Sequence, residues 1–293
     1  MTELQIDDYF EANEQLSKRT VASYKNLYTK FEDMNKNILT QSQTNILQYI
    51  DNFDGSTNTK LAMINVVVNL RRHYKKPDEK IQTRKLQLAD DYKIQKDATK
   101  KEKKEGLPTS AELIAHENRL YIDENWTGFI VTHLMRLLST RNKDLDLKII
   151  PANRSKRKGD PKDKNNYLII RSNNAQVIRN NYKTFSTYGQ KKNLVPSRRL
   201  NRAVHKMVAE RDVVIGRDEI YLLSTVQGQP LSEDSLAKRI RTYTMDGLSE
   251  TDYNKVFVSD FAGMEDKKML EKISNNRGSS LEVLLQEYHL DGV

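Results

Sequence analysis

Leu137-Leu138-Ser139-Thr140-Arg141-Asn142-Lys143-Asp144-Leu145-Asp146-Leu147 is the stretch on which the reading of this chain turns. Ahead of it, Phe129, Ile130, His133, Leu134, Leu137 and Leu138 recur at three and four residues and predict an apolar helix. Behind it, Leu145, Leu147 and Ile149 alternate and predict a strand. Arg141 stands between the two, with the carboxylate of Asp144 three residues on. A guanidinium held by a nearby acid at a helix end is well placed to take a phosphate. The same arginine could simply cap the carbonyl end of the helix, and this stretch alone leaves both readings open.

The chain downstream bears on that choice. The alternation continues through Tyr167, Ile169 and Val177, so a small antiparallel sheet of two or three strands is expected after residue 145. The basic loop 151–166 interrupts it and carries Arg154, Lys156 and Arg157. Helical periods return at about 197–210, 232–245, 250–262, 264–275 and 280–288. Upstream, a helix begins at Thr109 or Ser110 and precedes the apolar one.

The first part of the chain reads as helix only. Val21, Tyr24, Leu27, Tyr28 and Phe31 share a face; a second helix covers 43–53; a third runs from Leu61 to Tyr74, with Ser56 or Thr57 as its cap. A fourth spans 78–100. The segment 93–107 is rich in lysine, poor in large apolar groups and closed by Gly106, which marks it as a basic linker or a frayed helix end. The expected organisation is a helical domain over 1–92, a linker over 93–107 and a second domain over 108–293.

Composition narrows the function. With 37% hydrophobic and 30% charged residues, the chain can build packed cores under a very polar surface. A net charge of +9 favours a polyanion as partner, nucleic acid above all; a lysine-rich surface that only keeps the protein dissolved is the alternative. Without cysteine there is no disulfide, no thiolate metal site and no cysteine nucleophile. The five histidines are scattered without ligand spacing, so no metal is expected. No run of about 18 apolar residues exists, so no membrane span is expected. The acidic, polar start does not read as a secretory signal, and an intracellular place is expected, in nucleus, cytoplasm or virion.

The order of these parts resembles the tyrosine recombinase (integrase) family, in forms found in large DNA viruses and mobile elements. Ser139-Thr140-Arg141-Asn142-Lys143-Asp144-Leu145 is similar to the family's arginine motif, with Asp144 where a glutamate is usual. Asn181-Tyr182-Lys183-Thr184 followed by Thr187-Tyr188-Gly189 is similar to its lysine turn. Gly278-Ser279-Ser280 with Tyr288 nine residues after Ser279 is similar to its C-terminal tyrosine segment.

The resemblance implies a two-domain clamp on double-stranded DNA, mainly helical with a small antiparallel sheet. It also implies strand cleavage and rejoining through a 3′-phosphotyrosyl link, with no cofactor needed because bond energy is kept in that link. Tyr288 would be the nucleophile, Arg141 a phosphate ligand, Lys183 the general acid and Asp144 a support for Arg141. The family's remaining residues do not match. Thr251-Asp252-Tyr253-Asn254 stands where H-x-x-R is expected, and Ser279 stands at the second histidine position. Lys255 and Arg277 are the nearest cations that could substitute.

Three readings follow: a divergent recombinase, a clamp that binds DNA without cutting it, or a basic structural protein that acts through other proteins. The first two predict phosphate contacts from Arg71, Arg72, Lys75, Arg154, Lys156, Arg157, Arg198, Arg199, Arg239 and Arg241. Five residues follow Tyr288, too few to reach a neighbour, so a monomer is expected in solution with assembly only on DNA.

Overall fold

A computed structural model describes residues 7–10, 12–13, 16, 18–31, 38–104, 106–153 and 163–290. Arg154, Lys156 and Arg157 lie outside the described residues. The chain divides into two compact units, Met1–Lys100 and Lys101–Val293.

The first unit is helical. Its elements are α1 (Lys18–Thr29), α2 (Gln43–Asn52), α3 (Thr57–His73) and α4 (Glu79–Lys104). Serines start α2 and α3: Ser42 Oγ accepts from Asn45 N at 3.1 Å and Ser56 Oγ from Thr59 N at 3.2 Å, each satisfying an otherwise orphan donor. α3 is buried on most of its circumference by Met63, Ile64, Val66, Val67, Val68 and Leu70, so it is the hub of this core. Ile46, Ile50 and Ile81 complete it from α2 and α4.

Two expectations change here. The basic stretch from 93 to 104 is the continuation of α4. Between Glu79 and Lys104 there is neither glycine nor proline, and the residues are mostly good helix formers, so nothing local stops the helix before Gly106. Arg71 is a second correction. It is 4% exposed, and its guanidinium donates to the carbonyls of Pro77 (2.7 Å), Ile38 (2.9 Å) and Gln41 (3.1 Å). It ties the end of α3 to the chain before α2, so it is not free to hold a phosphate.

The second unit is helices around a small sheet. α5 (Ser110–Ile122) opens with a capping box between Thr109 and Glu112, and α6 (Trp126–Leu138) follows. A 3₁₀ turn over Asn142–Leu145 leads into β1 (Leu147–Pro151). Then come β2 (Asn166–Ile170), β3 (Ala175–Arg179), the single turn α7 (Phe185–Tyr188), β4 (Lys191–Val195), α8 (Arg198–Glu210), β5 (Ile220–Tyr221), α9 (Glu233–Arg241), α10 (Glu250–Gly263), α11 (Lys267–Arg277) and α12 (Leu281–Tyr288).

The sheet has five strands in the order β4-β3-β2-β1-β5. It is mixed: β1 and β2 run parallel, with Leu147 opposite Asn166 and Ile149 opposite Leu168, and the other pairs are antiparallel. The expected antiparallel sheet of two or three strands was therefore too small and wrong in one pairing. A parallel return needs a connection of about a dozen residues or more, and 152–165 supplies it. β4 escaped notice because Lys191, Lys192 and Asn193 look like a solvated basic face. It is an edge strand, where lysines are common and discourage pairing with other chains.

α6 lies against this sheet and the later helices. Phe129, Ile130 and Leu134 share one core with Leu147, Ile149, Leu168 and Val177 of the sheet, Leu200 and Val204 of α8, and Tyr253 of α10. A smaller cluster of Val258, Leu270, Ile273 and Leu284 seats α12 on α10 and α11, with Tyr288 packed at its margin. These two clusters fix the end of α6 and the end of α12.

Candidate active site

α6 ends at Ser139, whose φ of 48° is left-handed and turns the chain sharply out of the helix. Ser139 and Thr140 are buried, and Arg141 emerges half-buried from the turn. Asp144 Oδ2 accepts the backbone N–H of Arg141 at 3.0 Å, which closes the turn across the 3₁₀ helix. Its negative charge is matched by Arg179 at the end of β3, whose Nη1 lies 2.9 Å away; neither side chain is exposed at all. The acid three residues after Arg141 thus binds the backbone of one arginine and the guanidinium of another.

The side chain of Arg141 points to the end of α11. Its Nη1 donates to the carbonyl of Arg277 at 2.6 Å, and its other guanidinium donors have no partner among the described residues. Burial and the neighbouring Arg277 charge lower its pKa from the ordinary arginine value, while Asp144, Tyr288 and Glu250 act the other way.

Arg277 is the hub. It is 1% exposed. Nη1 donates to Ser139 O at 3.0 Å, and Nη2 donates both to Glu250 Oε1 at 2.8 Å and to the Tyr288 hydroxyl at 2.6 Å. Its guanidinium carbon also sits 4.4 Å from the centre of the Tyr288 ring. Helix α11 stops at Gly278, in left-handed φ of 62°, and α12 begins behind the cap Ser280. That short reversal brings Tyr288, eleven residues after Arg277, back onto it. A Cβ at Gly278 would stand 2.6 Å from Thr184 Oγ1, so the corner requires glycine for shape as well as for φ.

The lysine turn packs on the same corner. Thr184 Oγ1 donates to the Gly278 carbonyl at 2.9 Å, and the rings of Tyr182 and Tyr188 flank it. Asn166 holds this turn beside the Arg141 turn: its Oδ1 accepts from the N–H groups of Asn180 and Asn181, and its Nδ2 donates to Lys143 O at 3.1 Å. Lys183 itself is exposed and makes no hydrogen bond to Arg141, Arg277 or Tyr288 among the described residues.

Of the residues singled out in the sequence, Arg141, Arg277 and Tyr288 are brought together. Lys255 is not: its Nζ pairs with Asp252 at 3.3 Å, one turn back on α10. The cation against the phenol is Arg277, and the residue of α10 that reaches the site is Glu250. Sequence reasoning missed Glu250 because it looks like one more acid in a helix first turn. It also missed Arg179, although Arg179 shares strand parity with the buried Val177 and Ala175, which is a readable sign of an inward arginine. Six buried polar atoms of this region have no partner among the described residues: Thr140 Oγ1, Asn142 Oδ1, Asp144 Oδ1, Arg179 Nε, Arg277 Nε and Ser279 Oγ.

No family model matches this chain, and no curated protein matches it. Among solved structures, it is similar to the crystal structure of XerA recombinase, with a TM-score of 0.39 and 11% identity over 99% of this chain and 94% of that one.

The expected phosphate contacts sort by exposure. Lys75, Arg198, Arg239 and Arg241 are exposed. Arg72 is exposed with its Nε 3.1 Å from Asp78. Arg199 donates to Asn118 Oδ1 at 2.8 Å and lies 4.2 Å from the Tyr121 ring centre, so part of its donor set is already used. No helix of the described residues is long and apolar enough to cross a membrane, and no group of three or more His, Asp or Glu side chains among them could hold a metal ion.

Proposed function

We propose that this protein binds double-stranded DNA and cleaves and rejoins a strand through a phosphotyrosyl intermediate on Tyr288. The observation that carries the reading is the meeting of two guanidinium groups and a phenol: Arg277 on the Tyr288 hydroxyl at 2.6 Å, and Arg141 on the Arg277 carbonyl at 2.6 Å. A phosphodiester lying against the free donors of Arg141 would be in reach of the phenol oxygen. Tyr288 attacks phosphorus as its phenolic proton passes to solvent, the bond to the 5′-oxygen breaks, and that oxygen takes a proton. Lys183, on a flexible stem in the turn beside Gly278, is the proton donor in this scheme. The two arginines hold the negative charge that grows on the non-bridging oxygens. Bond energy is retained in the covalent link, so the step needs no high-energy cofactor.

Arg277 fills the role that the sequence left vacant when no second arginine appeared before Val256. It comes from the helix that precedes the nucleophile rather than from α10. Binding to DNA would be drawn from exposed cations, with Arg198, Arg239 and Arg241 in the second unit and Arg72 and Lys75 in the first.

One observation favours a second reading, DNA binding without cleavage. Both Nη atoms of Arg277 are already engaged by Ser139, Glu250 and Tyr288, which leaves it little to offer a phosphate. Nicked duplexes that trap a covalent adduct separate the two. A denaturant-resistant adduct that disappears in Tyr288→Phe is the result expected of the cleaving enzyme. Salt-sensitive binding without adduct, over a panel of nicked sequences, is the result expected of the clamp.

A further inference from the structure

The side chains behind the site form a closed ring. Arg141 N–H is held by Asp144, and Asp144 is held by Arg179 Nη1. Arg179 Nη2 donates to Asn193 Oδ1 at 3.0 Å, and Asn193 Nδ2 donates to Asn276 Oδ1 at 2.8 Å. Asn276 precedes Arg277, whose carbonyl receives Arg141 Nη1 and closes the circuit. The ring passes through the 3₁₀ turn, β3, β4 and the last turn of α11. Arg179 is its keystone: it is fully buried, and its planar fork spans an aspartate on one side and an amide on the other.

We infer that Arg179 is a positioning residue, which through Asp144 and Asn193 sets the Arg141 turn and the Arg277–Tyr288 corner in register with each other. The inference rests on the reading of that corner as the reactive site, and it adds residues outside it. The physical argument is one of continuity. Neutralising Asp144 needs one guanidinium nitrogen; the second Nη is spent on Asn193, an edge-strand residue whose amide reaches on to Asn276. A buried Nη needs an acceptor in any case; the particular acceptor chosen here is an amide that itself reaches the residue before Arg277, and that choice couples the two turns. The link matters because Arg141 and Arg277 approach one another as like charges, and their carbonyl contact at 2.6 Å persists only while the surrounding frame holds both. Misplacement of such groups by about 1 Å typically costs about 10²-fold in rate.

The test follows isotope-labelled arginine and tyrosine side chains by NMR in the full-length protein and in the variants Asn193→Ala and Asn276→Ala. Neither substitution removes a charge; Asn276 is buried and Asn193 only half-buried, so Asn193→Ala is the milder variant, and its unfolding midpoint is expected to stay within about 4 °C of the parent. In the parent, the Arg277 guanidinium protons are resolved and exchange slowly, because the group is locked between Ser139, Glu250 and Tyr288. Loss of those signals in Arg277→Lys assigns them. In both asparagine variants they average and the Tyr288 Cζ resonance moves. Arg179→Lys, which can keep its charge near Asp144 but cannot reach both partners, gives the same change. Signals of Arg277 and Tyr288 in Asn193→Ala that superimpose on those of the parent overturn the inference, as does an Arg277 that rotates freely in the parent. Run beside this, adduct formation on nicked duplex is expected to fall about 10- to 100-fold in Asn193→Ala at nearly unchanged DNA affinity. A parent protein that forms no adduct sinks the cleavage reading alone, and the resonance comparison still decides the ring.

Discussion

Arg277 reaches Tyr288 twice: Nη2 donates to the phenol oxygen at 2.6 Å, and the guanidinium carbon lies 4.4 Å from the ring centre. The phenol is therefore held by a cation that is itself buried and balanced by one acid. Glu250 is that acid, with a side chain 11% exposed against 1% for Arg277. Breaking one side of a buried pair leaves the other charge uncompensated, at about 3–5 kcal/mol. Glu250→Ala is expected to lower stability by about that amount. Glu250→Gln, which keeps an acceptor for Nη2, is expected to cost less. Denaturant unfolding of both variants checks the order; equal and negligible losses would contradict the assignment of Glu250 as the partner.

Asp144 and Arg179 provide a simpler case, because neither side chain is exposed. Asp144→Ala and Arg179→Met are each expected to destabilise by about 3–5 kcal/mol. The double variant is expected to be less destabilised than the sum, since it leaves no stranded charge. The measurement is a double-mutant cycle by urea unfolding. An additive result would mean the two side chains do not depend on each other.

A third ion cluster gives a pH dependence. Glu117 is buried, which by itself would push its pKa up, yet hydrogen bonds from Arg136 (2.7 and 2.8 Å) and His133 (2.8 Å) outweigh that and hold it at about 2. A carboxyl depressed in the folded state contributes stability that is present above its unfolded pKa and lost as pH falls toward the folded value. The window is therefore about pH 4.5 down to about 2, and the contribution is on the order of 3 kcal/mol. Unfolding free energies measured at pH 5 and pH 3 are expected to converge in Glu117→Gln relative to the parent. A parent and variant with the same pH slope across that window would refute it.

Cations that looked alike in the sequence should separate in a binding assay. Arg71 serves three carbonyls, so Arg71→Ala is expected to destabilise the first unit by about 2–3 kcal/mol through unsatisfied acceptors, with the salt dependence of DNA binding unchanged. Arg239→Ala and Arg241→Ala remove exposed cations and are expected to leave stability unchanged. Each that contacts a phosphate should reduce the slope of log affinity against log salt by about 0.9. Filter binding over a salt series reads this directly, and an unaltered slope in both variants would remove α9 from the proposed DNA-binding surface.

The helices of this protein were legible because their information is local. Apolar residues at three and four positions, caps at Ser56 or Thr57 and at Thr109 or Ser110, and the breaker Gly106 are properties of short windows, and they yielded nearly all of the helices within a few residues. The arginine, the lysine turn and the tyrosine could be picked out in order by their short motifs.

The sheet and the wiring of the site could not be read this way. Whether β1 pairs parallel or antiparallel with β2 depends on the path of residues 152–165, and whether Lys191 to Val195 is a strand depends on β3 offering an edge. In the same way, an arginine on α11, an acid on α10 and a tyrosine on α12 carry no mark that pairs them. Charge is paired through space, and the partner of Arg277 was decided by where the turn at Gly278 and the packing of α12 on Val258 and Leu270 set its side chain. Composition and periodicity determined a basic, mainly helical protein with a small sheet, and the resemblance of three short motifs to a known family singled out Arg141, Lys183 and Tyr288. Only the tertiary structure decided that Arg277, rather than Lys255, meets the phenol, because a side chain of about 6–7 Å reach selects its partner by distance and not by order along the chain.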